Sequence, residues 1–162
     1  VYRQLRPHFR QVLISAATAD GYGFLGAPVI VDPVSGDGPL RGIATALAAS
    51  DHDTNLVMAC DIPAVDVGLL RHMLRLAPGC DCVVPRTAGG HCEPLFAVYR
   101  KSALGAIEQV LRSGDRRIRD VYDLCDTRYV DLDPGREFAN LNTLDQYQGY
   151  LARSATSTQG GT

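Results

Sequence analysis

Two aspartates in this sequence each close an apolar run, an arrangement that puts a carboxylate at the end of a buried strand. Asp61 follows Asn55-Leu-Val-Met-Ala-Cys60 and opens a loop containing Pro63. A carboxylate leaving a sheet at its carboxyl edge suits magnesium, which takes one or two protein carboxylates and fills its shell with water and substrate phosphate oxygens. A plain strand-ending turn explains the same pattern equally well. Asp32 ends Pro28-Val-Ile-Val31 and precedes a glycine-containing loop that opens a helix at Gly38-Pro39. Backbone N–H groups in such a loop could receive an anion. On pattern alone an Asp-Pro turn is the better account of Asp32. The loop lacks the Gly-Lys-Ser/Thr ending of a Walker A motif.

Other polar residues are less distinctive. Ser113-Gly-Asp-Arg-Arg-Ile-Arg119 sets three arginines around a helix start. Guanidinium forks suit phosphate, but a solvated face is the better account of the run itself. Asn140 and Asn142 precede a last helix, where asparagine is ordinarily a cap and could instead turn its amide oxygen to a metal. His91 and Glu93 lie just before a strand, where a hairpin rim explains them. The other histidines, His8, His52 and His72, have no partner suggesting a Ser-His-Asp triad, and no G-x-S-x-G elbow is present.

The elements that must position these groups follow from periodicity. Gln11–Ala16, Pro28–Val31, Asn55–Cys60, Cys82–Pro85, Pro94–Tyr99 and Arg128–Leu132 read as strands. Leu40, Ile43, Ala44, Leu47 and Ala48 form the buried stripe of a helix with Pro39 in its first turn. Leu69, Leu70, Met73, Leu74 and Ala77 form another, ended by Pro78-Gly79. Ser102 is expected to cap a helix carrying Leu104, Ile107 and Leu111, closed by Gly114. Asp115 is expected to cap the next, with Ile118, Val121 and Tyr122 inward. Thr143 with Gln146 makes a capping box for a final helix. Strands alternating with helices imply an α/β domain with a mostly parallel sheet over residues 1–153, and the small polar residues 154–162 imply a disordered tail. In such sheets ligands sit beyond the carboxyl ends of the strands, which directs attention back to Asp32 and Asp61.

The bulk properties fit that picture. The 162 residues suit one domain able to bury a core without staples, and the net charge of -2 offers no basic field for a nucleic acid backbone. The five cysteines show no C-x-x-C spacing and no zinc-ligand pattern, so reduced core cysteines in a cytoplasmic protein are expected. Cys80 and Cys82 are expected to share one face of a strand. No apolar run is long enough to span a membrane, and no signal peptide is visible. The chain opens at Val1, and Tyr2–Phe9 reads as the end of a helix, so an upstream segment is expected.

Six short segments, taken in order, resemble molybdenum cofactor guanylyltransferases of the glycosyltransferase-A-like nucleotidyltransferase superfamily. They are Val12–Ala16, Pro28–Asp32 with Gly38-Pro-Leu-Arg-Gly42, Cys60-Asp-Ile-Pro63, Glu93-Pro-Leu-Phe-Ala-Val-Tyr-Arg100, Ser113-Gly-Asp-Arg-Arg117, and Phe138–Thr143. Together they cover nearly all of Val12–Leu151. The resemblance implies a three-layer α/β/α nucleotidyltransferase fold with a mixed, mainly parallel sheet. It implies transfer of GMP from GTP to molybdopterin cofactor, giving the guanine dinucleotide and pyrophosphate. Asp61 would ligate Mg2+, Asp32 would contact the nucleotide, and Asn142, with Asn140 beside it, would complete the metal and phosphate end. His91, Glu93, Arg116 and Arg117 would line the pterin side. A partner protein that delivers the pterin is a further possibility.

Two departures bear on activity. The family's opening glycine-rich phosphate cradle, with its arginine and lysine, is not found in this sequence, so the chain as it stands is expected to be a poor enzyme. Ala17 stands where the family carries a nucleotide-contacting asparagine. A cytidylyltransferase acting on the same pterin, another nucleotidyltransferase of the superfamily and a non-catalytic nucleotide-binding domain are the alternatives; Ala17 supports the last.

Overall fold

The computed structural model describes residues 1–32, 38–114, 117–134 and 148. A short helix, α1 (Tyr2–Leu5), precedes β1 (Ile14–Ala16), which pairs in parallel with β2 (Val29–Val31). Strands β3 (Thr54–Met58), β4 (Cys82–Arg86), β5 (Phe96–Arg100) and β6 (Thr127–Asp131) form a second sheet in the order β3-β5-β4-β6. β5 runs antiparallel to both its neighbours, whereas β4 and β6 are parallel. The sheet is therefore mixed, with three of its four strands pointing one way.

Helices α2 (Gly38–Ala49), α4 (Leu104–Arg112) and α5 (Ile118–Tyr122) cover one face, and α3 (Val67–Leu76) covers the other. Strand alternation divides the core between them. Cys82, Val84, Ala97 and Tyr99 pack with Leu40, Ile43, Leu47 and Ile107, while Val83, Phe96 and Val98 pack with Leu69 and Met73. Each large aliphatic side chain sealed in this way contributes on the order of 1.5–3 kcal/mol. Three layers, α/β/α, result, as the family resemblance implies.

Local chemistry sets the helix ends. Asp66 adopts extended backbone and its carboxylate accepts from Leu69 N at 2.8 Å, an N-cap that fixes the start of α3. Gly79, with φ of 84°, makes the left-handed turn after it. Gly114, with φ of 80°, does the same after α4.

Several expectations need correction. Ser102 does not cap α4: the chain enters that helix through a 3-10 turn at Lys101–Ala103, and the Ser102 hydroxyl donates to Asp81 instead. Cys80 and Cys82 lie on opposite faces, because β4 begins only at Cys82 and the two-residue period does not reach back into the turn holding Cys80. Cys60 is exposed rather than in the core. β1 is shorter than its apolar run, starting at Ile14. The expected cap Asp115, the final helix after Thr143 and the tail 154–162 lie outside the described residues.

The two sheets share a direction. Gln11, just before β1, donates through Nε2 to Asp51 Oδ2 at 2.7 Å and accepts from Asp51 N at 3.0 Å, tying the amino end of β1 to the approach to β3. β1 and β2 are parallel. The carboxyl ends of β1, β2 and β3 consequently face the same way, as do those of β4 and β6.

Candidate active site

Strand polarity brings most of the candidate residues to one edge. Ala17 follows β1, Asp32 follows β2, and Asp61 follows β3 by three residues. Because β5 is antiparallel, its start lies at this same edge, and so do the residues leading into it. Ala59 N donates to Leu95 O at 2.8 Å, which ties the approach to Asp61 to the stretch just after Glu93.

Asp61 is half-buried, and its Oδ1 is sealed from solvent with no hydrogen-bond partner. Asp32 repeats this: its Oδ1 is also buried and unpartnered, while its backbone N donates to Ala16 O at 3.3 Å. An ionised oxygen withdrawn from water without a partner is costly, so each is suited to a cation or a ligand N–H. Among the described residues no group of three His, Cys, Asp or Glu side chains gathers as a metal site. A single carboxylate is nevertheless enough for magnesium, whose remaining ligands come from phosphate and water. Asp61 fits that cation on its donor chemistry.

The Asp32 oxygens are set close against α2. A Cβ at Gly42 would lie 3.4 Å from Asp32 Oδ2 and 3.1 Å from Ser15 Oγ. The bare glycine thus lets the first turns of α2 approach the ends of β1 and β2. No local sequence pattern marks Gly42 for this role, because its signal is steric and three-dimensional. Asp66 was likewise passed over, although an acidic residue directly before a helical stripe is a cap signal.

The hairpin between β4 and β5 holds the next candidates. His91 is exposed; its backbone N donates to Thr87 Oγ1 at 3.2 Å and its carbonyl accepts from Thr87 N at 2.8 Å. Glu93 is half-buried, and its N donates to Pro85 O at 2.9 Å. At the base of the hairpin, Arg86 donates from Nε to Asp131 at 2.8 Å and stacks 4.8 Å from the centroid of the Tyr129 ring. That hydrogen bond holds the Asp131 carboxyl below its usual range.

Arg117 is exposed and precedes α5, with its Nε 3.1 Å from Asp120 Oδ2. α5 has only five residues, too short to offer an anion-attracting helix start. α4 starts beside the amino ends of the strands, since Lys101 N donates to Asp53 O, and its nine residues return the chain toward the carboxyl edge. Burial pushes the Cys92 thiol up while Arg119, and then Arg86, pull it down, so the arginine of α5 acts electrostatically on that same hairpin. Arg116, Asn140 and Asn142 lie outside the described residues.

Ala17, exposed, ends β1 with only a methyl group to offer a nucleotide. No helix among the described residues is long and apolar enough to cross a membrane.

The family model of the MobA-like NTP transferase domain matches residues 1–131. A probable molybdenum cofactor guanylyltransferase from Pelotomaculum thermopropionicum is 38% identical over 137 residues, which are 85% of this chain and 66% of that protein. Another, from Carboxydothermus hydrogenoformans, is 31% identical over 154 residues, covering 91% of this chain and 77% of that protein. Among solved structures, the molybdopterin-guanine dinucleotide biosynthesis protein A from Archaeoglobus fulgidus superposes with a TM-score of 0.74 at 24% identity, over 94% of this chain and 84% of that one. At that identity the likeness is one of fold.

Proposed function

Since this chain belongs to the family of MobA-like NTP transferase domains, we propose that its protein transfers GMP from GTP to molybdopterin cofactor, forming the guanine dinucleotide and releasing pyrophosphate. The observation that carries the site is the buried, unpartnered Oδ1 of Asp61 at the carboxyl edge.

In this reading Asp61 holds Mg2+, with Asn142 as a second oxygen donor and Asn140 beside it. When bound, the ion would supply positive charge to the phosphate oxygens. The protein's own part is positioning. Asp32 accepts from the nucleotide, held in place by the close packing of Gly42. Ala17 leaves one polar contact unmade on that side. His91, Glu93, Arg116 and Arg117 receive the pterin, whose phosphate oxygen attacks the α-phosphorus in line. The arginines hold that phosphate by charge-assisted hydrogen bonds. Catalysis of this kind asks for orientation and electrostatics rather than a covalent intermediate from the chain. The reaction is placed in the cytoplasm, with the pterin handed over by a partner protein.

The test uses the full-length protein with molybdopterin cofactor, Mg2+ and either GTP or CTP, following dinucleotide formation and pyrophosphate release. Product from GTP well in excess of product from CTP is expected. Product from CTP alone would move the protein to the cytidylyltransferases. Nucleotide binding without product from either would support a non-catalytic domain.

A further inference from the structure

Asp61 sits in the loop between β3 and α3, and contacts along its length hold that loop. Ala59 N bonds to Leu95 O at its start, Ile62 is buried in the core against α3, and the Asp66 cap closes its end. A further contact comes from far away in the sequence. Gln4, on α1, donates through Nε2 to Pro63 O at 2.8 Å and accepts at Oε1 from Val65 N at 3.0 Å. One carboxamide thus satisfies a backbone acceptor and a backbone donor two residues apart, as a strand partner would. Gln4 and the segment it grips are at the surface, where water could serve both groups. What water cannot do is fix the backbone in one geometry.

We infer that Gln4 is a positioning residue for the Asp61 loop, clamping residues 63–65 so that the Asp61 carboxylate is held at the carboxyl edge. The inference rests on reading Asp61 as the metal ligand. A carboxylate whose Oδ1 has no hydrogen-bond partner has nothing of its own to orient that oxygen, so its direction depends on the backbone that carries it. Gln11 supplies a matched comparison. Its carboxamide also bridges two groups, the Asp51 carboxylate and the Asp51 backbone N–H, with Ser50 Oγ donating to the same amide oxygen, at the opposite end of the sheet.

The experiment compares Gln4→Ala, Gln11→Ala and Asp61→Asn in the full-length protein. Amide hydrogen exchange reads the loop, Mn2+ binding followed by electron paramagnetic resonance reads the ligand, and thermal melting reads general stability. In Gln4→Ala, exchange at the Val65 amide is expected to speed up by about tenfold. Mn2+ affinity is expected to fall by about tenfold. Gln11→Ala should melt at least as early yet keep its Mn2+ affinity. Unchanged Val65 exchange in Gln4→Ala overturns the clamp. Faster exchange with unchanged Mn2+ binding overturns its positioning role, and so does an equal loss of Mn2+ affinity in both glutamine variants. Asp61→Asn separates the two ideas: full Mn2+ binding there removes the metal reading of Asp61, and Val65 exchange alone then decides whether Gln4 holds the loop.

Discussion

Gly42 and Asp32 meet across the β2–α2 junction so closely that one added methyl group on the glycine would stand 3.4 Å from the aspartate's Oδ2. The same methyl would come within 3.1 Å of Ser15 Oγ, tighter than ordinary contact. Ser15 must therefore give by a few tenths of an ångström, while the methyl fills the space beside Asp32 Oδ2 where a ligand would approach. Alanine also favours the helix over glycine by about 1 kcal/mol, which offsets much of the strain. Gly42→Ala is expected to melt near the parent temperature while binding GTP more weakly. Calorimetric titration beside a melting curve checks both. Undiminished GTP affinity would take Asp32 out of the nucleotide site.

Asp61→Asn removes a charge whose buried oxygen has no partner among the described residues. Transfer should fall by about two orders of magnitude or more, as when one stabilising group is lost from a phosphoryl-transfer site. Melting temperature should hold or rise, since an uncompensated carboxylate is relieved. A variant that loses activity and stability together would make Asp61 a structural residue.

Tyr99 and Tyr122 share a hydroxyl–hydroxyl bond of 2.8 Å deep in the core, and Tyr99 also donates to Pro94 O at 3.0 Å. A carbonyl only accepts, so Tyr99 spends its proton there and Tyr122 is the donor between the rings. Tyr99→Phe breaks both bonds and should cost about 2 kcal/mol; Tyr122→Phe breaks one and should cost about 1 kcal/mol. Burial, above all, pushes both phenols up from their ordinary value. In the unfolded chain they ionise near pH 10, whereas in the folded protein they keep their protons, so stability should decline as pH rises beyond about 10. Urea melts from pH 8 to 11 should show that decline, and it should be shallower in Tyr99→Phe.

Arg117 is exposed but faces the half-buried Asp120, whose Oδ2 is sealed from solvent, so Arg117→Ala should cost about 1 kcal/mol of stability. Its expected effect is on acceptor use: slower GMP transfer to the pterin with the GTP dissociation constant unchanged. Normal transfer would leave Arg117 as a solvated surface residue, and weakened GTP binding would move it to the nucleotide side.

The sequence made the layers legible because burial repeats with a period. Leu40, Ile43, Ala44 and Leu47 announce α2, and the apolar runs ending at Val31 and near Met58 announce strands whose ends carry acids. Polarity then put Asp32 and Asp61 each beyond the carboxyl end of its strand. What escaped reading depends on residues distant in sequence or on exact spacing. Gln4 reaches Pro63 and Val65 across about sixty positions, and no local pattern encodes that. Ser102 and Cys80 were misread for the opposite reason. Local rules were extended past the point where a 3-10 turn or a strand start changed the geometry.

The place of β5 has a consequence for how the protein is made. It lies between β3 and β4 but follows both in the chain. As synthesis proceeds, the two earlier strands emerge with a one-strand gap between them, each showing an unpaired edge beside the apolar side chains of Val57 or Val83. Only when residues 96–100 leave the ribosome can the gap close. Until then, open edges of this kind invite pairing between molecules. Nascent chains that stop short of Arg100 should therefore be the ones that aggregate, whereas those a few residues longer can seal the sheet from within.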